Sequence, residues 1–559
     1  MDKKNKNPIF SIKNFRSFGE DGADFELAPI TVLTGCNSAG KSSLVKSLML
    51  LSCQKIEKYE DGTMRNATLK TSSSELKLGG YKNIIHLHDS NRNLVFIYSM
   101  WSGFLNKNII CKCIYKQKKG VLNDGQLSEI TIEKEDGTIF FQGKLSNNLS
   151  GALPDGSVRE DEYLDINDEL IEKISDDFNR FTKVYKYCKY RDILMRFAKT
   201  FSNRKDCHKV LLDMVSRNSG IDIEKLESFG FTEDSSSYHF LEKITNAYNE
   251  SRDALISSGI TLNEANEYDK KTFTNWTRII ENYNVQMFVD WKVIIEETFT
   301  DKERNEINKK LFYGNLINEI INPLFLDNLT FVDSSTNKIS RTYKVDDNDK
   351  LSQILSQLLS RSNSSEYYTS NFVNKWLEEF GIADSIVIVG TEENNGVRVY
   401  LKKGEKRQLL ADEGYGITQL SSLLLQIDIT KNKNRYIDGD GIIDYHRSFI
   451  CVEEPEIHLH PKYQSLLADM FVEAYREYNI HFIIETHSEY LVRKLQVMVA
   501  DKENVLTSND VSLNYVEKDE NGISTNRKID ILEDGRLSEP FGTGFFDESK
   551  NLVLKMMKF

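Results

Sequence analysis

The stretch ITVLTGCNSAGKSS, residues 30–43, decides the fold. Ile30 to Thr34 is β-branched and uncharged, which reads as a buried strand. It runs into Gly35-Cys36-Asn37-Ser38-Ala39-Gly40-Lys41-Ser42, which has the full G-x-x-x-x-G-K-S spacing. Behind it, Ser43 to Leu51 has helical apolar spacing. A strand, a glycine loop and a helix in that order make a phosphate cradle. The glycines let backbone N–H groups wrap phosphate oxygens, Lys41 reaches the terminal phosphates, and the Ser42 hydroxyl ligates Mg²⁺. The residues expected to hold nucleotide are Gly35, Asn37, Ser38, Ala39, Gly40, Lys41, Ser42 and Ser43.

Such a loop needs a second strand whose end supplies carboxylates to the metal and the attacking water. Ser448 to Val452 is that strand, and it runs into Glu453-Glu454-Pro455-Glu456-Ile457-His458-Leu459-His460-Pro461. Glu453 takes the place where many P-loop proteins carry a metal-associated aspartate, and its longer side chain leaves open contact through water. Glu454 is the expected general base or water-orienting group. Mg²⁺ at a phosphate site prefers oxygen ligands, so His458 and His460 read as part of a strand-to-helix loop rather than as metal ligands. A third strand, Ile480 to Ile484, leads into Glu485-Thr486-His487-Ser488. His487 has the position of a γ-phosphate sensor, since a neutral imidazole can hydrogen-bond both phosphate and attacking water.

Length and composition bound the rest. A chain of 559 residues suggests two to four units, and 40% hydrophobic with 28% charged residues fits a soluble globular protein. No apolar run approaches the ~20 residues of a membrane helix, and the lysines of the N-terminus have no apolar segment behind them. The expectation is a cytoplasmic protein without a membrane partner. The seven cysteines are scattered and read as reduced thiols; Cys111, Cys113 and Cys207 lack partners at zinc spacing. A net charge of −13 argues against a chain that coats nucleic acid, though not against a local basic groove.

Taken together, the motifs resemble ATP-binding-cassette ATPase heads of the repair and chromosome-maintenance type. More closely they resemble the bacterial AAA-named branch related to overcoming-lysogenization-defect proteins. The matching pieces are IKNFRSF (12–18), APITVLTGCNSAGKSS (28–43), LKLGGYKNIIH (76–86), DEGYGITQL (412–420), EEPEIHLHP (453–461) and ETHS (485–488). The tail PFGTGFFDE (540–548) resembles the terminal motif of one uncharacterised subfamily. The resemblance implies an α/β P-loop ABC-type ATPase head with a mixed sheet, ATP and Mg²⁺ as cofactors, and two heads sandwiching nucleotide. It also makes residues 414–419 a signature-like loop, with Gly414, Gly416 and Thr418 serving the nucleotide of the opposite subunit. The loop departs from the usual Ser-Gly-Gly pattern, which leaves open which residue touches phosphate.

The cradle and the glutamate strand must meet at one nucleotide, so the chain between them leaves the head and returns. The expected parts are 1–105 and 331–559 for the head, 106–159 for a β-rich edge, and 160–330 for a compact helical insert. Trp276, Tyr283, Phe288 and Trp291 read as insert core. Relatives in the lysogenization-defect branch carry a C-terminal Toprim nuclease, but the 559-residue chain leaves too few residues after His487 for one. The expectation is an ATPase without its own nuclease and with a separate effector of HNH type. That is the arrangement of Septu-type anti-phage systems, which also occurs beside some retron reverse transcriptases; a nucleic acid or reverse transcriptase complex is a possible partner. Two other readings stand beside it: a DNA-repair ATPase, marked by DNA-stimulated hydrolysis, and a nucleotide-binding scaffold with little turnover.

Overall fold

The strand Ile30–Gly35 lies inside a six-stranded sheet. The order is Leu329–Val332, Ser448–Glu453, Ile480–Glu485, Ile30–Gly35, Val511–Lys518 and Ser524–Ile529. The first five are parallel and the last is antiparallel, so the sheet is mixed and the fold is α/β. The computed structural model describes residues 7–166 and 329–557 apart from short breaks, together with Lys183 and residues 249–261. The breaks are 59–63, 73–75, 103–106, 119–123, 135–136, 138, 153–157, 333–339, 345–349, 361–365, 392–395, 438–442, 502, 504–505 and 543–545.

Both faces of the central sheet are covered, which is why its strands read as unbroken apolar runs. Side chains alternate between two cores. Leu33, Phe449, Cys451, Ile483 and Val516 face one core, which they share with Leu44, Val45 and Leu48 of the helix Lys41–Ser52. Ile30, Val32, Ile450, Val452, Phe482 and Ile484 face the other. There they meet the helices Lys350–Ser360, Asn371–Glu379, Tyr415–Asn434, Pro461–Tyr478 and Glu489–Ala500.

The first core is closed by a nine-stranded antiparallel sheet that starts at Ile9–Lys13 and has Val158–Ile166 at one end of its main path. Phe10 stacks on Phe96 at 5.8 Å and Phe96 meets Tyr115 edge-on at 5.9 Å. Each fully buried ring of this kind contributes roughly 1.5–3 kcal/mol. Phe10, Ile12, Phe15 and Phe18 of the N-terminal segment all belong to this core.

The expected part boundaries shift. A boundary at 160 cuts the strand Val158–Ile166, which pairs along its length with Ile139–Ala152. Its charged sequence, VREDEYLDI, hid a strand whose pairing is set by the backbone. A boundary at 330 likewise cuts Leu329–Val332, the edge strand that returns the chain to the central sheet beside Ser448–Glu453. Of the insert, residues 249–257 are helical and are followed by a turn in which Gly259 takes φ +76°. Trp276, Tyr283, Phe288, Trp291, Cys188 and Cys207 lie outside the described residues. Cys111, Cys113 and Cys451 are buried in the core, and Cys36 is exposed. Among the described residues no helix is long and apolar enough to cross a membrane.

Candidate active site

Three neighbouring parallel strands end together, and the loops that leave them form the site. Ile30–Gly35 delivers the glycine loop, Ile480–Glu485 the Thr486-His487-Ser488 turn, and Ser448–Glu453 the Glu454–His460 loop. Glu453 is paired in register with Glu485, and Glu485 with Leu33, so the two carboxylates stand side by side next to the glycine loop.

The glycine loop has the backbone its sequence requires. Gly35 has φ +134°, and a Cβ there would lie 2.0 Å from the Val516 carbonyl oxygen, so no other residue fits. Ser38 is left-handed at φ 58°, and Gly40 opens the helix at φ +114°. Ser524, on the last strand of the sheet, braces the loop from behind by donating its hydroxyl to the Ala39 carbonyl. Lys41 is 4% exposed, and its ammonium donates to the carbonyls of Gly35 at 3.2 Å and Cys36 at 3.0 Å. Burial lowers its pKa, against the pull of Glu485 and Glu454. The Ser42 hydroxyl donates to Glu485 Oε1 at 2.9 Å. Arg16, from the first turn of the chain, is a half-buried cation at φ 51° with its pKa lowered by burial. The next residue, Ser17, holds the backbone N–H of Ser524 against the loop.

Glu454 is left-handed at φ 45°, an uncommon state for a residue with a side chain. Three contacts hold it there, one of them the Ile457 N–H on its carbonyl at 3.2 Å. Its N–H donates to the Glu485 carbonyl at 2.7 Å, and its own carbonyl accepts from the Gln419 side chain at 3.1 Å. The carboxylate then lies 3.8 Å from Nε2 of His487. A water about 2.8 Å from each of these atoms closes a triangle on that base, so both groups can hold one water. Burial lowers the His487 pKa, Lys41 adds to this, and Glu454 opposes it, which keeps the imidazole neutral near pH 7.

The ETHS turn divides its labour. Glu485 faces Ser42, Thr486 is buried with its N–H on the Leu33 carbonyl, and His487 faces Glu454. Ser488 caps the helix Glu489–Ala500, accepting from the Leu491 N–H at 3.2 Å. Glu456 ties the two loops together, its Oε1 accepting from the His487 N–H at 2.7 Å. Burial pushes its carboxyl upward. Glu456 and Glu485 both lie in stretches matched by resemblance, but their contacts, Glu456 with the His487 N–H and Glu485 with Ser42, become visible only once the loops and strands are placed.

His460 caps the helix Pro461–Tyr478, its Nδ1 accepting from the Lys462 N–H at 3.3 Å. His458 sits 6.0 Å from the Tyr415 ring, centroid to centroid. Among the described residues no group of three or more His, Cys, Asp or Glu is gathered to hold a metal. A P-loop Mg²⁺ needs less, since phosphate oxygens and waters complete its shell. The donors present fit it: a hydroxyl on Ser42, carboxylates on Glu485 and Glu453, and a Glu485 Oε2 that is buried with no hydrogen-bond partner among the described residues.

Two residues of the signature-like loop pack inside the chain. Gly416 is buried, and a Cβ there would lie 2.7 Å from the His458 carbonyl oxygen. The close approach its glycine permits is to this chain's own 454–460 loop. Thr418 is buried too, with its hydroxyl on the Gly414 carbonyl at 3.4 Å. Of the three expected residues only Gly414 is exposed, at the N-terminus of the helix Tyr415–Asn434 and beside Tyr415, which is 69% exposed.

Residues 9–492 match the family model described as AAA ATPase domain. The chain belongs to that family. In this AAA ATPase, residues 506–556 match a second family, described as protein of unknown function (DUF3696). That span contains the strand Val511–Lys518, which lines the cradle strand on the side away from His487. No curated protein matches the chain. Solved structures similar to it include the Smc head domain with an extended coiled coil bound to the C-terminal domain of ScpA from Pyrococcus furiosus. That pair is 10% identical, with 99% of this chain and 100% of the other covered, at a TM-score of 0.32. The SMC head domain from Thermotoga maritima is 11% identical, with 93% and 98% covered, at a TM-score of 0.30.

Proposed function

We propose that this AAA ATPase binds ATP with Mg²⁺ at the three strand ends and hydrolyses it. The observation that carries the reading is the placement of Glu454 and His487 3.8 Å apart, beside a buried Lys41. Asn37, Ser38, Ala39, Gly40 and Ser43 supply backbone N–H groups to the phosphates, and Lys41 turns from its two carbonyls to the terminal phosphates. Glu454 accepts the proton of the attacking water, and neutral His487 donates to the γ-phosphate. Ser42 and the strand-end carboxylates would hold Mg²⁺, which would supply positive charge to the phosphates. Release of phosphate from ATP by the purified protein, lost in the Glu454 variant described below, tests the reading.

Two copies close on nucleotide, each presenting its Gly414 end to the other's site. Gly414 has φ −70° and open space around it, so a side chain there leaves the fold intact. Gly416 is unsuitable for the test, because its substitution would break the contact with His458. In a Glu454→Gln background, light scattering should show ATP-dependent doubling of mass, and Gly414→Arg should abolish it with an unchanged melting temperature. A mass that ATP does not change, or doubling that survives Gly414→Arg, contradicts this arrangement.

The head controls a separate nuclease, of HNH type, in anti-phage defence. Support for this comes from the sequence resemblance. Nucleotide held between two heads fixes their separation, and hydrolysis releases it, which gives a partner two states to read. The purified chain should leave plasmid and linear DNA intact with Mg²⁺ or Mn²⁺, and cutting should appear only with the effector. Cleavage by the chain alone that survives substitution of Glu453 and Glu454 would refute this.

A further inference from the structure

We infer that Glu485 is a cation-facing carboxylate of this site, acting with Ser42 as a pair of adjacent ligands. The inference rests on the ATP reading and names a residue that the glycine loop and the two-glutamate motif leave out.

Three observations carry it. First, Ser42 Oγ and Glu485 Oε1 are 2.9 Å apart. Neighbouring oxygens in an octahedral Mg²⁺ shell, each about 2.0–2.1 Å from the ion, are about 2.9–3.0 Å from each other. The pair therefore has the spacing of two cis ligands, and a cation can replace the shared proton with little movement of either oxygen. Second, Glu485 is 5% exposed, and its Oε2 is buried with no hydrogen-bond partner among the described residues. A buried carboxylate oxygen left unpartnered is costly, and a hard cation or its bound water would satisfy it. Third, the strand end is fixed on both sides. Glu485 is in register with Glu453 on one neighbour and Leu33 on the other, and its carbonyl takes the Glu454 N–H at 2.7 Å. That last bond links the cation-facing residue to the backbone of Glu454. A metal that draws on the Glu485 side chain is thus one backbone hydrogen bond away from the position of the base.

A plainer role is available to Glu485, as a buried counter-charge to Lys41. The two roles separate by metal dependence. Affinity for a non-hydrolysable ATP analogue is measured by calorimetry with Mn²⁺ and again with EDTA, and the ratio is the gain due to metal. Glu485→Gln should cut that gain about tenfold or more, in the range typical for residues that support a metal shell. Affinity in EDTA should hold or rise, since one negative charge near the phosphates is gone. Glu485→Asp keeps the charge on a shorter arm and should recover part of the gain; Ser42→Ala should lose it as Glu485→Gln does. Melting temperatures of the variants show whether they fold, and should Glu485→Gln fail to fold, the aspartate variant carries the test with a several-fold loss of gain. A gain within twofold of the unsubstituted protein in both Glu485 variants, or an equal loss with Mn²⁺ and EDTA, overturns the assignment while leaving ATP binding intact. Failure of the unsubstituted protein to bind the analogue in either condition overturns the ATP reading, and this assignment with it.

Discussion

Replacing Glu454 with glutamine should slow ATP hydrolysis by about 10²-fold or more while nucleotide binding is kept. The amide is nearly the same size, and the groups that fix this residue are backbone atoms that the substitution spares: its N–H on the Glu485 carbonyl and its carbonyl on the Gln419 side chain. The left-handed backbone at φ 45° is therefore retained. What is lost is the acceptor that takes a proton from water. His487 cannot replace it as a charged partner, because burial and Lys41 both hold its pKa down. Single-turnover phosphate release together with equilibrium binding separates the two effects. Turnover within a few fold of the unsubstituted protein would remove Glu454 from the role.

Lys41→Ala should weaken nucleotide affinity by about 30-fold to several thousand-fold, the range for removing one partner of a desolvated charge pair. The ammonium is already dehydrated and aimed at the loop, held by the Gly35 and Cys36 carbonyls, so little reorganisation precedes its contact with phosphate. Removal also leaves the Glu485 and Glu454 carboxylates without the cation that faces them, which adds repulsion against an incoming triphosphate. Lys41→Arg should rescue poorly, since a planar guanidinium does not fit a socket that is 4% exposed. Calorimetry with ATP and EDTA checks both variants in the absence of metal. Affinity unchanged in Lys41→Ala would remove the loop from phosphate binding.

The strands most legible in the sequence were those buried on both faces. ITVLTG carries no charge and SFICVE none before its last residue, and each is a strand over the stretch that reads as one plus the residue after it. The strand Val511–Lys518 alternates polar and apolar residues, a pattern that leads one to expect its polar side chains at the surface. Ser512 and Asn514 are nevertheless fully buried, and they satisfy each other: Asn514 donates to Ser512, and Asn526 donates to Asn514. Side-chain pairing of that kind is invisible before the strands are placed. The same holds for Ser42 and Glu485, which lie 443 residues apart and meet only through register. Gly416 marks a close approach, and sequence alone does not say to what; the partner is the His458 carbonyl.

The order of strands has a consequence for how the protein is made. The cradle strand ends at Gly35, yet both its sheet neighbours, Ile480–Glu485 and Val511–Lys518, are synthesised after residue 479. At about 5–20 residues per second, a nascent chain waits on the order of 20 to 100 s before that strand can be enclosed. The antiparallel sheet assembled largely from residues 9–166 has no such delay, since its hairpins pair as they leave the ribosome. Throughout the wait, Ile30 to Gly35 is an unpaired apolar edge, the kind that templates aggregation. Slower translation or loss of chaperone capacity should therefore lower the soluble yield of this chain more than that of a protein whose nucleotide cradle is flanked by neighbouring sequence.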